Sequence, residues 1–300
     1  MTSFDPKYLQ SLSGSISQST ALEQSLTTEL SSGLAISSLQ DNPVAVAQSQ
    51  LLGASIAQQD TFVQTASGLQ SRLQVADSTL GEIVSQLTKA ESLAVQGNGG
   101  TLSASNLQAV QQQLQGIQQQ VLSLINTSYQ GSFLFGGSQG STAPFAVNST
   151  TGAVTYSGDN AVTYVTTPEG QQIQTNLPGS AAFGTGASGV LGVLSSLIQD
   201  FAGSTPSTTA VSDSSALTSA LAQVSAQRSV LGNSLSRIAS ASTYTQSTAA
   251  QLTAAQSSLV AADTARVATQ LSMAETQHQA LLNVTAALEG SGNSLFSYIK

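Results

Sequence analysis

Few side chains in this 300-residue sequence are of the types that carry out acid–base, nucleophilic or metal chemistry. Cysteine is absent, which excludes disulfides, thiolate zinc sites and cysteine nucleophiles. The one histidine, His278, excludes a metal site built from several imidazoles, and no set of triad partners clusters beside it. His278 falls on the apolar stripe of the last helical segment. We therefore expect a partly buried packing residue or interface contact there, not a ligand or proton carrier.

The remaining polar motifs also lack the spacing that chemistry requires. Gly97–Gly100 and Gly136-Gly137 have neither the spacing nor the lysine of a phosphate-binding loop, so we expect turns. Arg228 and Arg237 are expected to form an exposed basic edge. The separated carboxylates match no metal-binding loop and are expected on solvated helix faces or at caps: Asp41, Asp60, Asp77 and Glu91. We predict no catalytic, cofactor-binding or metal-binding residue, and a protein that is not an enzyme.

The charge content is low. Charged residues make up 7% of the chain, with a net charge of −8, whereas ordinary soluble proteins contain about 25% charged residues. No Lys or Arg lies between Lys89 and Arg228, which argues against nucleic-acid binding because phosphates require basic contacts. The most apolar stretch, 191–198, is shorter than a membrane span, and residues 1–10 lack the pattern of a Sec signal peptide. We expect neither membrane insertion nor such a signal.

Hydrophobic spacing divides the chain into helical and β-rich zones. Residues 1–130 and about 187–300 show helical periodicity. Residues 131–186 contain four short β-rich runs between turn residues, at 145–147, 154–156, 162–165 and 172–174. We predict a mainly α fold: an elongated helical bundle or coiled coil of paired N- and C-terminal helices with a small antiparallel β-rich insertion. The expected segments are an N-terminal assembly helix (1–42), two halves of a helical rod (43–130 and 187–261), the insertion (131–186) and a C-terminal assembly helix (262–300).

The clearest periodicity alternates by four and three residues over more than four heptads, which predicts a long helix packed as a coiled coil. Gly97–Gly100 should end this helix, and Ser103 should cap the next one. The stripe consists of Phe62, Ala66, Leu69, Leu73, Ala76, Leu80, Ile83, Leu87, Ala90 and Ala94.

The terminal helices carry apolar residues but few charges. Five leucines and one isoleucine of the first helix are expected on one face. Asp41 should cap the helix that follows, and the last helix should end at residues 289–292. Ser, Thr, Gln and Ala surfaces suit burial against other helices, including those of neighbouring subunits. The predicted assembly interface consists of Leu9, Leu12, Ile16, Leu22, Leu26, Leu30, Val267, Leu271, Leu281, Leu288 and Leu295.

Several motifs in the helical zones resemble those of the flagellin superfamily. Residues 30–36 (LSSGLAI), followed by Asp41-Asn42-Pro43, resemble its N-terminal signature, and residues 91–96 (ESLAVQ) resemble its ELAVQ stretch. Residues 228–238 (RSVLGNSLSRI) and 259–265 (LVAADTA) resemble two C-terminal motifs. The second of these retains Asp263 but lacks the neighbouring acids, and Asn42 replaces an acid of the family's DDP. The resemblance covers nearly the full chain.

Other motifs resemble one branch of the superfamily, the hook–filament junction proteins, or hook-associated protein 3 family. They are residues 97–103 (GNGGTLS), 131–137 (GSFLFGG) and 156–159 (YSGD), with 176–179 (NLPG) and the segment 294–298 (SLFSY). The resemblance implies a flagellin-like fold and a structural role as a junction or adaptor between the flagellar hook and filament.

The same resemblance implies a homo-oligomeric ring that contacts the hook-side junction protein (hook-associated protein 1) and flagellin, with an export chaperone as a further partner and no cofactor. It implies an extracellular place in the flagellum, reached through the flagellar type III export channel without a cleaved signal peptide. Two alternatives stay open. One is a short filament-forming flagellin, and the other is an exported helical adhesin or binding module.

Overall fold

The computed structural model describes the backbone of residues 6–36, 42–99, 102–148 and 150–296, and within these ranges the side chains of residues 10–287. The chain divides into two compact units. The first consists of residues 1–57 and 249–300, and the second of residues 58–248. The predicted division into five segments stays a prediction.

Four helical stretches build the first unit. Helix α1 (Pro6–Ser32) packs along α7 (Thr264–Phe296). The unit also contains the beginning of α2 (Pro43–Asn98) and the end of α6 (Ala210–Val260), where Gln256 Nε2 donates to the Ser49 carbonyl at 2.9 Å. The Asn42 side chain accepts from the Ala45 N–H at 3.1 Å and so caps α2, while Asp41, the expected cap, lies outside the described residues.

The second unit is organised around long helices with one shared core. It contains most of α2 and α6 together with α3 (Ala104–Ile125), the short α4 (Gly179–Phe183), a 3₁₀ turn at Gly186–Ser188, and α5 (Val190–Asp200). Every residue of the predicted α2 stripe is buried except Leu69, which is half-buried. The Ser103 hydroxyl accepts from the Asn106 N–H at 3.4 Å and caps α3, as its sequence predicts.

Three separate antiparallel hairpins form the β-rich insertion: β1 (Ser128–Tyr129) with β2 (Ser132–Phe133), β3 (Phe145–Val147) with β4 (Val154–Tyr156), and β5 (Tyr164–Thr166) with β6 (Gln172–Gln174). Gln130 and Gly131 both have positive φ, as a two-residue hairpin turn requires. The rings of Phe135 and Phe183 meet edge to face at 5.0 Å and pack the insertion into the core of the unit.

These features confirm the predicted fold class of paired terminal helices with a small antiparallel insertion. No described helix is long and apolar enough to cross a membrane. The predicted end of the last helix is wrong, since α7 continues through Gly290 and Gly292 to Phe296. An isolated glycine costs a helix only about 1 kcal/mol, which is too little to terminate a long one.

Candidate assembly surface

Helices α1 and α7 meet along a contact line with seven-residue spacing, which we call the seam. On α1 the seam contains Leu12, Ser19 and Leu26, all buried, and on α7 it contains Val267 and Ala274, also buried. A seven-residue repeat keeps the same side of each helix against its partner. The seam therefore pairs the two terminal helices as a short antiparallel coiled coil.

Backbone hydrogen bonds fix one end of this helix pair. Gly33 adopts φ +69°, the left-handed conformation in which glycine ends helices. Beyond it, Ala35 N–H donates to the Val260 carbonyl at 2.8 Å, and Ala262 N–H donates to the Gly33 carbonyl at 2.9 Å. These two bonds flank an antiparallel bridge between Leu34 and Ala261. The start of α7 is thus held beside the end of α1.

Two acid–base pairs cross the seam. Glu23 Oε1 lies 3.9 Å from His278 Nδ1, and Glu29 Oε1 lies 3.8 Å from Arg266 Nη2. These separations are too long for hydrogen bonds, so the contacts are electrostatic. Glu23 Oε1 and His278 Nδ1 are buried and have no hydrogen-bond partner among the described groups. Polar groups therefore interrupt the apolar seam at a defined position.

The outer face of α1, meaning its exposed residues between 10 and 32, carries no charge in the described part of the helix. Both acids of this stretch, Glu23 and Glu29, turn towards α7 instead. A free-standing amphipathic helix places its charges in water and its apolar residues inside. The exposed positions are occupied by Ser, Thr, Gln, Gly, Ala and two leucines, Leu22 and Leu30.

Most hydroxyl groups on this outer face are bonded within their own helix. Ser15 donates to the Ser11 carbonyl at 2.9 Å, and Thr27 donates to the Glu23 carbonyl at 2.7 Å. Ser17 and Thr28 do the same to the carbonyls four residues earlier. A hydroxyl whose proton is already bonded costs little to remove from water. The outer face is therefore chemically suited to burial against another protein surface.

The outer side of α7 is similarly poor in charge. Between Val267 and Ala287, Glu275 is the one exposed charged residue among those described. Met273 is 66% exposed, and Leu282 and Val284 are both more than 40% exposed. The two paired helices thus present sparsely charged, partly apolar surfaces outwards.

Ionic and polar contacts in the second unit tie its elements together. Arg228 Nε lies 2.9 Å from Asp77 Oδ1, and both side chains are partly exposed. Of the expected exposed basic edge, Arg237 is exposed, whereas Arg228 is paired with a carboxylate. Arg237 donates to the Gln172 carbonyl at 2.9 Å and thereby joins α6 to β6. Neither contact is visible in the sequence, because the partners are distant along the chain.

Two carboxylates of this unit have shifted proton affinities. Hydrogen bonds from the Ser138 hydroxyl and backbone N–H, and then from the Ala161 N–H, lower the pKa of exposed Asp159. Burial is the largest cause that raises the pKa of Asp213, and the negative charge of Asp200 and a hydrogen bond with Asp200 raise it further. Asp200 is buried, accepts from the Thr209 hydroxyl at 2.6 Å, and leaves Oδ2 without a described partner.

Nothing in the described residues assembles a reaction centre. No group of three or more His, Asp or Glu side chains among them is placed to hold a metal ion. The cavities are open surface grooves lined mainly by uncharged residues, such as the one between β6, α4 and α6 at Gln174, Ala181 and Val230.

Comparison with known proteins agrees with this geometry. Residues 8–140 match the bacterial flagellin N-terminal helical region, and residues 215–299 match the bacterial flagellin C-terminal helical region. The chain belongs to the bacterial flagellin family. The matched regions of this flagellin-family chain include most of α1, all of α2 and α3, most of α6, and α7.

Individual relatives extend the comparison. The flagellar hook-associated protein 3 of Salmonella typhimurium is 28% identical over 182 residues, which cover 58% of this chain and 56% of that protein. The chain thus spans about half the length of the hook-associated proteins it matches. Solved structures share the fold. A Vibrio parahaemolyticus protein described as flagellar hook-associated has a TM-score of 0.66 and 19% identity, and the match covers 74% of this chain and 100% of the other. Xanthomonas campestris FlgL has a TM-score of 0.61 and 18% identity, and the match covers 68% of this chain and 98% of the other.

The predicted interface residues of this flagellin-family chain differ in exposure. Leu12, Leu26 and Val267 are buried in the seam; Ile16, Leu271 and Leu281 are half-buried; Leu22 and Leu30 are exposed; and the side chains of Leu9, Leu288 and Leu295 lie outside the described residues. The assembly role of these residues stays a prediction.

Sequence reasoning missed the polar members of the seam. Ser19 lies seven residues after Leu12, and Glu23 lies seven residues after Ile16. Heptad spacing alone could have placed both on the buried side of α1. His278 lies on the seam, as its position in the apolar stripe predicts, and the carboxylate of Glu23 lies beside it.

Proposed function

We propose that this chain is a structural component of the bacterial flagellum that joins the hook to the filament and assembles through helix–helix packing. The flagellin-family match and the hook-associated relatives support this place in the flagellum. The proposed contacts are with further copies of this chain in a ring, with the hook-side junction protein and with flagellin. An export chaperone would hold the chain before it leaves the cell.

The neutral outer face of α1 carries the assembly part of the proposal. Its acids turn inwards to α7, and most of its hydroxyls are bonded to its own backbone. Such a surface gains little from water and loses little when a neighbour covers it. The exposed leucines Leu22 and Leu30 add apolar area to that contact. Of the predicted interface residues, Leu12, Leu26 and Val267 would hold the helix pair together, and the exposed Leu22 and Leu30 would contact the neighbour.

The proposed localisation is extracellular, in the flagellum, after export through the flagellar type III channel without cleavage of a signal peptide. A chain without cysteine is compatible with passage in an unfolded state, because no disulfide has to form or break.

A deletion strain tests this function. We expect cells with completed hooks, no filaments and flagellin monomers shed into the medium, and we expect the wild-type gene to restore filaments. Normal hooks and filaments in the deletion strain would reject the flagellar role. Long filaments formed by the purified chain alone would instead favour a filament-forming flagellin.

A further inference from the structure

The acidic and basic groups of the seam are sorted by helix. On α1 both are carboxylates, Glu23 and Glu29, and on α7 both facing groups are bases, His278 and Arg266. The exposed acids Asp263, just before α7, and Glu275, on α7, are in neither acid–base pair. Each terminal helix thus presents only one kind of charged group to its partner within the described residues.

We propose that these four side chains select which terminal helices pair, favouring α1 with α7 and opposing α1 with α1 or α7 with α7. The inference deepens the proposed function and rests on it, since selection matters only where the helices of several copies meet. The partner that this surface fits is an α7 helix, either from the same chain or from a second copy.

The apolar part of the seam cannot make this choice. Leu12 and Leu26 on α1 and Val267 and Ala274 on α7 are all apolar, so burial of apolar surface would also favour either helix against a copy of itself. Hydrophobic packing is not directional, and specificity between similar helices needs a repulsive element. The charged residues are the elements of the seam that distinguish the two helices.

Pairing between two α1 helices would bring carboxylates together without a base. The side chains of Glu23 and Glu29 are less than a quarter exposed in the seam, at 23% and 22%. Water and salt therefore screen the repulsion between such carboxylates only weakly. In the α1–α7 pair, Arg266 faces Glu29, and His278 presents Nδ1 to Glu23. We assign the proton to Nδ1 because a carboxylate lies opposite.

The outer faces of the two helices carry few charged groups, in contrast to the seam. A Ser, Thr and Gln surface without charge accepts many neighbours, so it discriminates poorly between them. Charged groups inside the seam and neutral groups outside therefore separate two tasks, the choice of a partner helix and the packing of completed helix pairs.

A disulfide experiment in the cysteine-free chain tests the selection. Leu34 and Ala261 form an antiparallel bridge flanked by backbone bonds, a geometry with Cα atoms about 4.5 Å apart that suits a disulfide. One chain carries Glu23→Lys, Glu29→Lys and Leu34→Cys. A second carries Arg266→Glu, His278→Glu and Ala261→Cys. The two full-length chains are mixed and oxidised, and covalent dimers are measured on non-reducing gels.

We expect the α1 helix of the first chain to pair with the α7 helix of the second. Covalent dimer should exceed by about tenfold that from two chains with native charges and the same single cysteines. A matched control places the same charges on the outer faces, with Thr27→Lys and Thr28→Lys on one chain and Gln277→Glu and Gln279→Glu on the other. It should give the native level of dimer.

A native-charge chain with both Leu34→Cys and Ala261→Cys should close its disulfide internally and keep the mass of a monomer. Equal dimer yields from the seam-reversed pair, the outer-face control and the native pair would overturn the proposal. Because the readout uses purified chains, failure here leaves the deletion phenotype, and with it the proposed function, standing.

Discussion

Arg228 and Asp77 form a two-point ion pair that joins α6 to α2 in the second unit, with Nε–Oδ1 at 2.9 Å and Nη2–Oδ2 at 3.1 Å. The hydrogen bonds and the charge of Asp77 raise the pKa of the Arg228 guanidinium. Gly81 lies under the guanidinium, where a Cβ atom would approach its carbon to 3.2 Å. A glycine one helical turn after Asp77 thus gives the flat arginine head room over the helix.

The two-point geometry predicts that Arg228→Lys weakens the second unit although the charge is kept. A lysine ammonium cannot reproduce the paired N–H bonds. Because both side chains are partly exposed, the loss in free energy of unfolding should be about 0.5–1 kcal/mol, measured by urea denaturation. Arg237→Lys is the control, since its single bond to the Gln172 carbonyl can be kept by lysine. Equal losses in the two variants would contradict the two-point account.

Gly97→Ala should destabilise the second unit by about 1–3 kcal/mol. The added Cβ would lie 2.5 Å from Cε1 of Phe201, and this ring is fully buried, so it has no free space to move into. The matched change Gly116→Ala meets no atom within 4 Å and should stabilise the chain by up to about 1 kcal/mol through helix propensity. Thermal unfolding of both variants decides the point, and similar melting temperatures would refute the steric argument.

Asp213→Asn should stabilise the chain at neutral pH. Burial, and then Asp200, raise the pKa of Asp213, so the folded state holds this proton more tightly than the unfolded state. Its favourable contribution is therefore greatest at acid pH and declines as pH rises above the ordinary aspartate value. Asparagine is uncharged, so it removes the cost of an ionised carboxylate beside Asp200 at neutral pH. Its amide can also donate to Asp200 Oδ2. The variant should melt higher than the wild-type chain at pH 7, with a smaller difference at pH 4.

The exposed Asp60 supplies the control for that comparison, because Asp60→Asn removes a solvated carboxylate. It should change the melting temperature little at either pH. An Asp213→Asn variant that is less stable than the wild-type chain at pH 7 would contradict the proposed carboxyl pair.

Asp159→Asn should loosen the turn at Ser138. The pH dependence of the Asp159 contribution is opposite to that of Asp213. Hydrogen bonds from Ser138, and then from the Ala161 N–H, lower the pKa of Asp159, so its contribution is present above the ordinary aspartate value. That contribution is lost as pH falls through the lowered value. Amide exchange at Ser138 and Ala161 should be faster in the variant at neutral pH. Glu169→Gln, at another exposed turn, should leave these two amides unchanged, and unchanged exchange in Asp159→Asn would remove the role given to the carboxylate.

Local periodicity predicted much of this fold because long helices record their buried side in residue spacing. The stripe from Phe62 to Ala94 is buried as expected, and three of the four predicted β-rich runs became strands with the predicted bounds. The fourth begins at Tyr164 instead of Val162. The β1–β2 hairpin was missed because its strands have two residues each, which is too short for any alternation.

Contacts between distant residues were beyond the sequence. Asp77 with Arg228, Glu29 with Arg266 and Asp200 with Asp213 each depend on how separate helices are placed, which no spacing rule encodes. The seam of α1 was half predicted. Leu12 and Leu26 were correct, whereas Ser19 and Glu23 were overlooked because a search for apolar residues passes over polar ones.

The outer face of α1 gives the most direct test of the central claim, that this surface is buried when the chain assembles. A deletion strain is complemented with Leu22→Glu and Ser25→Glu on that face, or with Ser92→Glu and Val95→Glu on an exposed part of α2. Electron microscopy then counts cells that carry filaments. The account predicts filaments with the α2 variant and none with the α1 variant, although both purified chains keep their melting temperatures. Full restoration of filaments by the α1 variant would contradict it.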